Sequence, residues 1–114
     1  MLISHHQTEF RQIQKLDEIE PLDIMDSLNL EMNRNMVFKA GEGAGASGSF
    51  FFFSYDSRFL IKTLTNSEKR TLLSKLPQFI KHFTLSENKT FIAKIYGVYT
   101  IKSNIFDDLH VMIM

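Results

Sequence analysis

Four of the five glycines of this 114-residue chain fall between Gly41 and Gly48, and four phenylalanines, Phe50 to Phe53, follow almost at once. Glycine admits backbone conformations and close approaches that other residues resist. Four consecutive Phe residues open a helix poorly and suit a strand. The chain must therefore pass from a small-residue loop directly into a sheet. Ser49–Tyr55 reads as one strand and Arg58–Leu64 as the next. Asp56-Ser57 lies between them as a two-residue turn, which predicts a β-hairpin.

A helix is expected next. Thr65 and Glu68 have the spacing of a capping box, a hydroxyl followed three residues later by a carboxylate. Leu72, Leu76, Phe79, Ile80 and Phe83 then recur at helical spacing. Pro77 sits inside that pattern and should kink or split the helix. Ser86–Lys89 reads as a polar loop. Phe91–Lys102 alternates like a strand, with Phe91, Ala93, Ile95, Tyr99 and Ile101 on one face. Gly97 interrupts it, which predicts a bulge or a close backbone approach. Ser103-Asn104 turns the chain, and Ile105–Met114 ends in the apolar run of a buried strand.

Ahead of the glycines, Phe10, Ile13, Leu16 and Ile19 have near-helical spacing. Pro21 breaks or restarts that helix. Met25, Leu28 and Met32 form a second stripe. Residues 1–34 thus predict a helical arm, expected to dock on the domain or on a partner, and residues 35–114 the domain itself. The class is α+β: an antiparallel sheet with one packed helix, preceded by the arm.

Composition excludes several classes of function. The 13 basic and 13 acidic residues cancel, which gives no support to a nucleic-acid partner. The absence of cysteine removes disulfides, thiol nucleophiles and thiolate metal sites. No stretch approaches the roughly 20 apolar residues of a membrane-spanning helix, and the first residues lack a signal-peptide pattern. A cytoplasmic chain with only peripheral membrane contact is expected.

Gly43-Ala-Gly45-Ala-Ser-Gly48 matches G-x-G-x-x-G, a pattern shared by several nucleotide folds. A Walker loop would need Lys directly after Gly48, where Ser49 stands. A dinucleotide fingerprint would open a helix, whereas Phe50–Phe53 opens a strand. A kinase-type loop lies between antiparallel strands and is followed by a strand lysine. Lys62, after Phe59-Leu60-Ile61, meets that need. Glycines let backbone N–H groups approach phosphates, and a lysine adds a compact positive charge.

At this point the chain resembles the phosphatidylinositol phosphate kinases. The resemblance rests on Gly41–Ser49, the aromatic strand, and Asp56–Thr63 with its Ile-Lys-Thr end. Leu73–Phe79, Ile95-Tyr-Gly-Val-Tyr99 and His110–Met114 add to it. The last glycine is followed two residues later by Phe50 where protein kinases carry Val, and Glu68 follows Lys62 by only six residues. Both features separate the chain from protein kinases.

The resemblance implies a kinase-like N-lobe that grasps ATP. Gly43, Gly45, Ser47, Gly48 and Ser49 would cover the phosphates, and Lys62 would contact them. Glu68 would pair with Lys62, the capping role remaining an equal alternative. Met114 would lie at the strand end near the adenine, with core packing as its alternative. The implied reaction is transfer of the ATP γ-phosphoryl group to a ring hydroxyl of a phosphoinositide lipid at a membrane surface, with Mg as the metal. The catalytic and metal-holding groups of the family belong to a larger C-lobe expected beyond Met114, so the 114-residue chain is expected to be inactive alone. A homodimer through the arm is left open. The alternative class is a non-catalytic lobe that binds a nucleotide or a partner. The four histidines form no metal pattern, with His5 and His6 expected to be exposed, and Phe50–Phe53 is expected to be core.

Overall fold

The computed structural model describes residues 1–42, 50–86, 93–104 and 106–114. Five strands form one antiparallel sheet in the order β1-β4-β5-β3-β2. They are β1 (Leu2–His5), β2 (Phe51–Phe53), β3 (Leu60–Leu64), β4 (Gly97–Ile101) and β5 (Leu109–Ile113). The described helices are α1 (Gln7–Leu16), α2 (Pro21–Ser27), α3 (Arg34–Glu42), α4 (Asn66–Ser74) and α5 (Leu76–Leu85). The α+β class and the antiparallel sheet are those implied by the sequence.

The helices cover both faces of the sheet. Ile24 and Leu28 at α2 and Ala40 of α3 pack with Phe52, Ile61, Tyr99, Ile101, Val111 and Ile113 on the first face. Phe10 and Ile13 of α1 pack with Leu76 and Phe83 of α5, Val98 and Met112 on the second. Every residue of β4 is consequently buried. Such a strand reads as a continuous apolar run rather than a clean alternation.

The segment before residue 35 is packed into the sheet and its core. Its first residues are β1, paired from Leu2↔Ile101 to His5↔Val98. His5 is half-buried: its Nε2 lies 2.7 Å from Thr100 Oγ1, which lies 2.8 Å from His110 Nδ1. Burial lowers the pKa of both imidazoles, helped by the positive charge of Lys69. Pro21 does restart a helix, and Glu20 and Asp23 cap it reciprocally. The stripe of α2 is not the expected one. Ile24 and Leu28 face the core, and Met25 and Met32 are exposed.

The hairpin is present, but its connection is longer than two residues. The ladder ends at Phe53↔Leu60, and Ser57 N donates to Ser54 O at 2.8 Å. Asp56 holds this turn by accepting from Ser54 Oγ and from Ser27 Oγ, each at 2.6 Å. Buried Asn33 braces it again, accepting from Tyr55 N and donating to Ser27 O and Asn29 O. Both partners belong to the region around α2 and α3, far away in sequence.

Pro77 splits the expected helix. Lys75 closes α4 and precedes α5, whose first turn accommodates the proline. Strand β4 begins only at Gly97 (Phe91, in the expected strand, lies outside the described residues), and β5 begins at Leu109, two residues ahead of the apolar run Val111–Met114. Ile95 packs on the second face while Tyr99 and Ile101 pack on the first, so the exposed pattern changes phase across that glycine. A Cβ on Gly97 would lie 2.7 Å from the Tyr99 ring, the close approach its position suggested.

Because Phe10 is fully buried against α5, the N-terminal segment should contribute to global stability. Phe10→Ala should cost about 3–5 kcal/mol, read as a lowered urea midpoint with an unchanged slope. An independent arm would leave the main transition where it was.

Candidate functional site

Lys62 sits at the middle of β3, a strand hydrogen-bonded on both sides. Its directly opposite neighbours are Phe51 on β2 and Met112 on β5. Opposite residues of an antiparallel pair share a face, and so do residues two apart. Lys62 therefore projects from the second face, the one α1 and α5 cover over β4 and β5. The next row on that face is Phe53, Leu60 and Met114. Leu60 and Met114 exchange two backbone hydrogen bonds of 2.9 Å.

Over β2 the helices leave this face uncovered. Phe51 and Phe53 are 52% and 64% exposed, whereas Phe52 is 5% exposed and packs on the opposite face with Phe50. The Phe50–Phe53 run is thus divided: two members are core, as expected, and two are surface. Strand alternation is the cause, since a run of identical residues must still point to alternate faces. Met114 is half-buried and packs with the second-face cluster. Its position at the ladder end and its core packing hold together.

The exit of the glycine segment is fixed beside the lysine. Phe50 N donates to Thr63 Oγ1 at 2.9 Å, and Thr63 N donates to Phe50 O at 3.0 Å. On the entry side, Gly41 lies in α3, where an added Cβ would fall 2.5 Å from the Phe106 ring. Gly43, Gly45, Ser47, Gly48 and Ser49 lie outside the described residues.

Glu68 does not pair with Lys62 in this structure. Its carboxylate accepts from Thr65 N at 2.9 Å, and Thr65 Oγ1 accepts from Glu68 N at 3.1 Å. The capping box expected from the sequence is present, and it takes the carboxylate that a lysine pair would need. The Thr65 backbone N–H holds the Glu68 pKa below its usual value, and the Lys62 charge adds a smaller pull from further away. The lysine ammonium instead lies 5.5 Å from the centroid of the Phe51 ring. Reading the sequence missed this contact, although two adjacent strands with a known turn would have aligned the two residues had the turn length been known.

Among the described residues, no three His, Cys, Asp or Glu side chains are grouped to hold a metal ion. Asp108, in the turn before β5, is bound to Lys102 at 2.9 Å. The site can offer a phosphate-bearing ligand one unpaired ammonium and an adjacent apolar row.

Comparisons with known proteins show the family. A family model described as phosphatidylinositol-4-phosphate 5-kinase matches residues 32–114. Phosphatidylinositol 4-phosphate 5-kinase 1 of Arabidopsis thaliana is 36% identical over 93 residues, covering 82% of this chain and 12% of the relative. A probable phosphatidylinositol phosphate kinase of Dictyostelium discoideum is 34% identical over 94 residues, 82% of this chain and 13% of the relative. A phosphatidylinositol 4-phosphate 5-kinase of Schizosaccharomyces pombe is 31% identical over 105 residues, 92% of this chain and 14% of the relative. The chain thus spans a small part of the length of these relatives.

The Glu68 cap has a pH signature. A carboxylate whose folded pKa is depressed stabilises the fold fully above its unfolded pKa, near 4.5, and loses that contribution as pH falls through the folded value. Glu68→Gln should therefore unfold at lower urea than the parent at pH 7. The gap should close as pH falls below about 4, where both side chains are neutral. A gap independent of pH would assign the difference to something other than the charge.

Proposed function

Since the chain belongs to the phosphatidylinositol-4-phosphate 5-kinase family, we propose that it is the ATP-binding lobe of a kinase that phosphorylates an inositol-ring hydroxyl of a phosphoinositide lipid. The observation that carries this is the register Phe51↔Lys62. It sets the lysine one strand away from the exit of the glycine segment, with its ammonium in no ion pair with Glu68. A lysine so placed can contact the phosphates of a nucleotide held by a glycine-rich loop.

The residues present fit a nucleotide. Lys62 would meet the phosphates, and the apolar row of Phe53, Leu60 and Met114 on the same face would lie along a purine. Bound ATP supplies the γ-phosphoryl group, and magnesium offsets its charge. In this reading the described residues bind and orient. Glu68 feels the charge of Lys62, and it would pair with the lysine only by leaving the Thr65 cap.

A phosphoinositide substrate places the protein at a membrane surface, and we assign it a cytoplasmic, peripheral location. No described helix is long and apolar enough to cross a membrane. A homodimer built through residues 1–34 could draw on exposed apolar side chains such as Met1, Leu22, Met25 and Met32, whereas Phe10 and Ile13 are committed to the core.

Lys62→Met tests the reading. A charge-assisted phosphate contact is worth about 1.5–3 kcal/mol, so affinity for a fluorescent ATP analogue should fall on the order of ten- to a hundredfold. The urea midpoint should shift by no more than about 1 kcal/mol equivalent, because no carboxylate is left unpaired. Unchanged nucleotide affinity in Lys62→Met would refute the assignment. The 114-residue chain by itself should bind nucleotide and transfer no phosphoryl group to phosphoinositide vesicles.

A further inference from the structure

A lysine that serves phosphates must be held near them before they arrive, because a free four-carbon stem samples many rotamers. A carboxylate could supply that hold, but Glu68, which feels the Lys62 charge, is committed to the Thr65 backbone at 2.9 Å. The ammonium of Lys62 lies instead 5.5 Å from the ring centroid of Phe51, within the range of a cation–π contact. Phe51 gains little from burial, being 52% exposed on a strand whose other face carries Phe50 and Phe52 into the core. Its position directly opposite Lys62 is enforced by the ladder rather than by side-chain mobility. It also adjoins Phe50, the residue pinned to Thr63 where the glycine segment ends.

We propose that Phe51 is a positioning residue for Lys62: the face of its ring holds the ammonium beside the exit of the glycine segment, in the place a carboxylate would otherwise take. The proposal rests on the reading of Lys62 as the nucleotide-phosphate lysine. A ring face contacts one side of an ammonium and leaves its remaining N–H donors free for phosphate oxygens. A carboxylate would compete with the phosphates for those donors, and the ring does not. Phe51 therefore orders the lysine without neutralising it, and the contact persists when the nucleotide is bound.

The test compares the parent protein with Phe51→Leu, Phe51→Trp, Lys62→Met and the Phe51→Leu/Lys62→Met double variant. Each is titrated with a fluorescent ATP analogue, and circular dichroism confirms the fold. Carbon-labelled lysine reports the Lys62 Cε methylene by NMR. In the parent, the ring current should move that signal upfield. Phe51→Leu should abolish the shift and weaken nucleotide binding about two- to fivefold. Phe51→Trp should preserve both. In the Lys62→Met background, Phe51→Leu should change nothing further, since its effect runs through the lysine.

An equal loss in both backgrounds, tighter binding by Phe51→Leu, or failure of Phe51→Trp to preserve binding would overturn the proposal. Nucleotide binding by a parent that shows no upfield Lys62 signal would refute the role of Phe51 alone. A clear upfield signal in a parent that binds no nucleotide would refute the nucleotide reading, and the positioning role with it.

Discussion

Strand β3 is hydrogen-bonded to β2 on one side and β5 on the other, and its register decides what each face of the sheet can do. Side chains alternate along a strand, so a slip of one residue would exchange their faces. Ile61 would then leave the core, and Lys62 would enter it as an unpaired buried charge, which is prohibitively costly. The fully buried Ile61 and the half-buried Lys62 thus enforce the same register from opposite directions. That register is also what sets Phe51 opposite the lysine and Thr63 against Phe50. The core and the candidate site are fixed by one choice.

The choice holds only if the hairpin is anchored at its far end. A two-stranded ribbon is marginal by itself. Here the turn is tied by Asp56 to Ser27 and by Asn33 to Tyr55 N. Both anchors come from the N-terminal third, which also lays α1 on the second face and α2 with α3 on the first. The end of the hairpin near the glycine segment is left with the Phe50–Thr63 pair of hydrogen bonds. One end of the ribbon is locked by a partly buried polar network, and the other is held by one backbone bond and one bond to the Thr63 hydroxyl, next to the segment read as the phosphate loop.

The features legible in the sequence were those made by neighbours. Thr65 and Glu68 cap α4 because they are three residues apart, and Pro77 splits the helix through its own ring. Lys62 was found because its strand follows the glycines at short range. The hairpin length was not legible, because Asp56 is held by Ser27, 29 positions away. Strand β1 was not legible either. A four-residue edge strand carries too few side chains to show a period, and its identity comes from pairing with β4, whose own alternation is hidden by burial on both faces. The division of the four phenylalanines between core and surface had no compositional signal, since alternation is invisible in a run of one residue type.

The two claims on Glu68 follow from that same locality. The cap satisfies a helix-end N–H with a partner three residues away, and losing such a cap costs about 1 kcal/mol. A pair with Lys62 at the solvent-exposed end of α4 would return no more than that, since exposed ion pairs are worth about 0–1 kcal/mol. Without a ligand, the balance leaves Glu68 on Thr65 and Lys62 on the Phe51 ring. A bound triphosphate would add negative charge around Lys62 and weaken the attraction of Glu68 to it further. The ligand-free structure therefore has the lysine beside an aromatic face and the carboxylate of α4 in its helix cap.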